Sequence, residues 1–123
     1  MKRIRLLPLF FLLPAVVSCS DGGDAWLFAY FTGERDGLRL AWSRDAIEWT
    51  AIGGGRTFLQ PAVGPDSLLR DPSIVRGPGG TFHMVWTSGW HDPFIAYASS
   101  PDLIHWSPQK AVPLMAGEPA ALN

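Results

Sequence analysis

Cysteine is almost missing from this chain. Cys19 is the single one in 123 residues, so no disulfide can form within it and no Cys-x-x-Cys metal or redox spacing exists. Helical periodicity is missing too: 11 prolines and 13 glycines, many between apolar runs, leave few windows with a 3.6-residue period. Charge is thin, 10 basic against 11 acidic residues for a net of -1, which leaves no basic patch for the phosphates of a nucleic acid. Gly-x-Ser-x-Gly, a Walker-type loop and a His-rich zinc spacing are all absent, which removes the enzyme classes built on them. Neither a metal nor an organic cofactor is expected.

What is present begins with Lys2, Arg3 and Arg5, a positive head before the apolar run Leu6 to Val17. Pro8 and Pro14 interrupt that run, and it is too short for an ordinary transmembrane helix. It closes on Val16-Val17-Ser18-Cys19, which resembles the lipobox of bacterial lipoproteins, in which the cysteine is acylated and becomes the new N-terminus. The expected organisation is a signal peptide at 1–18, a Gly-rich polar tether at 19–24 and a folded unit at 25–123. Lipid on Cys19 would then attach an exported protein to a bacterial envelope membrane, at the outer membrane or cell surface. A cleaved signal whose cysteine merely follows it, or a buried apolar strand, accounts for the same residues. Removing Lys2, Arg3 and Arg5 leaves 10 − 3 = 7 basic residues against 11 acidic ones, so the mature balance is -4.

The remainder reads as short strands. Ala25 to Thr32 is an aromatic run bounded by Gly33-Glu34-Arg35-Asp36-Gly37, and Leu38 to Trp42 alternates behind it, which predicts a hairpin with its charges in the loop. Gly53-Gly54-Gly55 is expected to be irregular. Ser73 to Arg76, Thr81 to Thr87 and Phe94 to Ala98 predict three more strands, and Val112-Pro113-Leu114-Met115 an edge strand, because proline cannot donate to a ladder. Ser43, Asp45 and Trp49 fall on Ser100, Asp102 and Trp106 at a constant offset of 57 residues. Two such copies of about fifty residues are the sign of a blade-like repeat. In each copy the Ser and Asp side chains are expected to accept backbone N–H bonds in a tight turn, and the Trp to cover the gap to the neighbouring sheet.

Three stretches, Arg70-Asp71-Pro72-Ser73-Ile74, Gly80 to Thr87 and Ile95 to Ser107, together resemble the opening blade of glycoside hydrolase family 43. The resemblance implies an all-β, five-bladed β-propeller acting on arabinose- or xylose-containing plant polysaccharide or oligosaccharide, with about the first two blades in this chain. It also implies an inverting mechanism with Asp71 as general base. Inversion needs a second, protonated carboxyl, roughly 6.5–9.5 Å from the base to leave room for water. That acid and a third, tuning carboxylate are expected from later blades, since the chain stops near where the family's second acidic motif would begin; Glu118 is a weak reserve. A closed ring needs on the order of 250 residues, so a fragment inactive on its own is expected.

Each candidate also has a plain structural reading. Asp71 before Pro72 can be a turn. Arg70 can hold Asp71 ionised or be a solvated edge charge. Trp90, in the loop Ser88 to Pro93, can stack on a sugar or pack on its own loop. His91 and Asp92 can face the same cleft or belong to a His-Asp-Pro turn. Arg70, Trp90 and His91 are the expected substrate-binding residues, and His83 a half-buried strand residue instead of a ligand. A non-catalytic, surface-anchored carbohydrate-binding propeller module is the alternative. A fructosidase-type propeller fits less well, because its opening motif carries Asn-Asp-Pro-Asn where this chain has Arg70 and Ser73 around the pair.

Overall fold

The computed structural model describes residues 23–114. Residues 1–18, Cys19 and Glu118, with the expectations placed on them, lie outside the described residues. The predicted hairpins form two antiparallel sheets. The first has the order β1 (Trp26–Tyr30), β2 (Arg39–Ser43), β3 (Thr50–Ala51). The second has the order β4 (Arg70–Arg76), β5 (Phe82–Thr87), β6 (Phe94–Ser100), β7 (Lys110–Pro113). This is an all-β architecture of two successive meanders, part of a propeller. The last strand lies at the sheet's edge with Pro113 opposite Phe94, as expected of a proline-bearing strand. Ile52–Gly55 makes a short 3-10-type turn that is irregular as expected, since Gly53 and Gly54 inside it take non-helical, left-handed backbone at φ 60° and 66°, where glycine is at ease.

Alternation decides which faces meet. Met84 pairs with Ala98 and Trp86 with Ala96, so on that face each large side chain of β5 stands beside a small one of β6. Leu38 and Leu40 from the first sheet and Leu59, Val63 and Leu69 from the connection complete one core with these four. Trp86, Met84, Leu38, Leu40 and Leu69 are fully buried. Each is worth about 1.5–3 kcal/mol of transfer free energy. His83, on the opposite face from Met84, is half-buried with its Nδ1 2.8 Å from the Tyr97 hydroxyl.

The two copies are unequal at their inner end. β4 pairs with β5, but among the described residues nothing pairs with the outer edge of β1. A strand at 73–76 was expected at the head of the second copy only, and the first sheet is one strand smaller for that reason.

The Ser-x-Asp turns form as expected and repeat atom for atom. Ser43 Oγ accepts from Ala46 N–H (2.9 Å), and Asp45 Oδ1 accepts from Ile47 and Glu48 N–H (both 2.9 Å). Ser100 Oγ accepts from Leu103 N–H (2.8 Å), and Asp102 Oδ1 from Ile104 (2.9 Å) and His105 (2.8 Å). The offset of 57 also reproduces a feature invisible in the residue types: Ala46 and Leu103 both take left-handed backbone, at φ 61° and 66°. The tryptophans part company. Trp106 packs against the shared core, as a wedge should. Trp49 instead lies over Phe28 of its own sheet, ring centroids 5.4 Å apart and 41% exposed, because its face of the first sheet meets no other sheet among the described residues.

Both turn carboxylates sit below the ordinary aspartate value. The Glu48 amide is the main cause at Asp45, followed by the Ile47 amide and the Ser43 hydroxyl. At Asp102 the His105 amide leads, then the His105 ring and the Ile104 amide. A carboxylate with a depressed folded pKa stabilises the fold above its ordinary value of 3.8 and loses that contribution as pH falls through the folded value. Stability should therefore drop from about pH 4 downward, and Asp45→Asn with Asp102→Asn should flatten that drop in acid-unfolding titrations followed by circular dichroism. Ala46, exposed and left-handed, offers a second test: Ala46→Gly should raise stability by about 0.5–1 kcal/mol in thermal unfolding.

Candidate active site

The chain enters β4 under two constraints. Leu68 N–H donates to the Ser88 carbonyl (2.9 Å) and Leu69 N–H to the Glu34 carbonyl (2.7 Å), tying the approach to both hairpin loops at once. With Leu69 wholly buried, Arg70 pairs with Thr87, but the next pair is Ser73 with Val85. Three steps on β4 therefore match two on β5, a β-bulge holding one extra residue. Pro72, which has no N–H for the ladder, falls in the bulge, and Asp71 before it takes φ 49°. Left-handed backbone costs a non-glycine residue about 1–2 kcal/mol. Aspartate is among the residues that bear it best. The bulge takes Asp71 out of strand alternation and leaves it exposed.

Arg70 does not pair with Asp71. Its Nε lies 3.3 Å from Glu34 Oε1, and its guanidinium sits 3.7 Å from the centroid of the Trp90 ring. Neither sequence reading of Arg70, as the cation beside Asp71 or as a solvated edge charge, describes this. The side chain is half-buried and bridges the two sheets' loops. Trp90 is 62% exposed and, with Gly33, Glu34, Arg35, Asp36, Asp66 and Leu68, lines a cleft of about 470 Å³. Asp71, Arg70 and His91 are not among the residues lining it, and His91 is exposed.

The loop that carries Trp90 is braced from within. Ser88 Oγ donates to Asp92 Oδ2 (2.7 Å), and Gly89 packs so closely on that carboxylate that an added Cβ would lie 2.5 Å from Oδ2. Asp92 therefore serves its own turn, the plainer of its two sequence readings. Glu34 and Ser88, the partner of Asp92, are the site residues that sequence reasoning missed. Glu34 showed only as one of several loop charges, and Ser88 as part of a polar loop. Among the described residues no three His, Cys, Asp or Glu side chains are grouped to hold a metal ion.

The brace makes a specific demand. Gly89→Ala should cost about 1–2 kcal/mol by displacing Asp92 from Ser88, and most of that cost should vanish in an Asp92→Ala background, as a double-mutant cycle in urea would read.

A family model described as "Probable glycosyl hydrolase domain", related to glycoside hydrolase family 43, matches residues 21–121. No curated protein and no solved structure matches the chain. The match spans both sheets, the Asp71 bulge and the Trp90 cleft, and the chain belongs to this family of glycosyl hydrolase-like domains related to family 43.

Proposed function

We propose that this chain supplies the first two blades and the general base of an inverting glycoside hydrolase acting on arabinose- or xylose-containing polysaccharide or oligosaccharide. The observation that carries the reading is Asp71 held in left-handed backbone at a β-bulge, exposed, on the strand that opens the second blade. Strain of this kind persists only where the surroundings hold it, and it gathers at functional sites. Here the buried Leu69 and the two hydrogen bonds to Glu34 and Ser88 do the holding.

In this mechanism the Asp71 carboxylate takes a proton from water. The resulting hydroxide attacks the anomeric carbon from the face opposite the leaving oxygen, which a protonated carboxyl on another blade protonates as the glycosidic bond breaks. The acid and a tuning carboxylate belong to further blades in this proposal. Trp90 offers an aromatic face to the sugar. Anchoring through lipid on Cys19 would set the enzyme at the envelope surface, where polysaccharide is met from outside.

The cleft favours a second reading. Its lining includes Trp90 but not Asp71, which also suits a surface-anchored module that binds carbohydrate without cleaving it. Asp71→Asn separates the two. In a protein carrying the full set of blades, hydrolysis of aryl-arabinosides or aryl-xylosides should fall by at least about a hundredfold with sugar affinity nearly unchanged. Retained hydrolysis would remove Asp71 as the base, and wild-type binding without turnover would favour the module. Product stereochemistry by NMR should show inversion.

A further inference from the structure

Trp90 is in contact with a cation and with a cleft at once. The Arg70 guanidinium covers one side of the ring, while the ring itself borders the cleft that Arg70 does not line. Arg70 is in turn held through Nε by Glu34, which belongs to the other sheet's hairpin. Glu34 is fixed at its backbone as well, since its carbonyl accepts from Leu69 N–H. Its loop is closed by Asp36 N–H donating to the Gly33 carbonyl (2.9 Å) and Thr32 Oγ1 donating to Asp36 Oδ2 (2.9 Å).

We propose that Glu34 is a positioning residue: by pinning Arg70 against one face of Trp90 it presents the other face to the cleft as a preset stacking surface for a neutral sugar. The proposal rests on the carbohydrate reading above. An exposed tryptophan in a hairpin loop would otherwise lose rotamer freedom on binding, and the clamp removes that loss in advance. Charge selects the ligand. The lining carries Glu34, Asp36 and Asp66 against Arg35, and the nearby Arg70 is already paired with Glu34. Uronic acids therefore meet net negative charge, whereas neutral pentoses meet hydroxyl-accepting carboxylates beside an aromatic face.

The test uses the full chain. The Trp90 indole N–H is assigned in a proton–nitrogen correlation spectrum through Trp90→Phe. Glu34→Gln and Arg70→Lys should each shift that resonance and weaken neutral arabino- or xylo-oligosaccharide binding roughly three- to tenfold, the size of one stacked cation contact. Glu34→Gln, which leaves Arg70 uncompensated, should at the same time improve binding of a glucuronic-acid-bearing xylo-oligosaccharide. If neutral sugar binds wild type and Trp90→Ala abolishes it, but Glu34→Gln changes neither affinity nor the indole resonance, the positioning role is overturned and the carbohydrate reading survives. If no oligosaccharide binds wild type although Glu34→Gln moves the resonance, the Trp90 cleft is not a sugar site and Glu34 is a structural partner of Arg70 only, whereas the Asp71 test in the full set of blades still decides the hydrolase reading.

Discussion

Neither sheet can cover its own apolar face, and the rest of the structure follows from that. Trp86 and Met84 on β5, with Ala96 and Ala98 beside them on β6, present a surface whose relief is filled by Leu38 and Leu40 of the first sheet. Because the core is shared, the two hairpins must arrive with the same face inward. Their loops then end side by side. The convergence of Glu34, Leu69 and Ser88 is a consequence of this packing: once the faces meet, the approach to β4 runs between two hairpin loops and hydrogen-bonds to both.

That arrangement is what holds Asp71 in strained backbone. A bulge in an isolated ladder could relax by slipping register, which would turn every later side chain of β4 to the other face. Here Leu69 is locked in the core on one side of the bulge, and on the other Ile74 pairs with Met84 and packs against the same core, so the extra residue has nowhere to go. The cleft beside Trp90 arises from the same convergence. Its walls come from the first hairpin, the connection and the second hairpin, and no one of the three makes it alone. The exposed aromatic face of the first sheet, with Phe28, Tyr30 and Trp49 together, shows the same requirement where no second sheet among the described residues meets it.

Much of the architecture was legible because its causes are local. Apolar runs, alternation and turn residues placed every strand but the two-residue Thr50–Ala51, and the turn chemistry of Ser43-x-Asp45 and Ser100-x-Asp102 could be read from side chains that reach only two or three residues along the chain. Two copies of one local solution produced the repeat. The different fates of Trp49 and Trp106 were not legible, since they depend on which sheet has a neighbour on that face. Neither sequence reading of Arg70, as the cation beside Asp71 or as a solvated edge charge, could anticipate its partners, because Glu34 and Trp90 reach it from loops distant in the chain.

By itself, then, the order of residues determined the strands, the hairpins, the two carboxylate-capped turns and the family to which the chain is related, all of which depend on contacts within a few residues or on a motif spelled out in sequence. Only the tertiary structure decided that Asp71 sits in a bulge, that Glu34 reaches Arg70, and that Arg70 in turn covers the Trp90 ring. Those facts require segments distant in the chain to be brought to one end of two sheets, and it is burial of the shared core that brings them there.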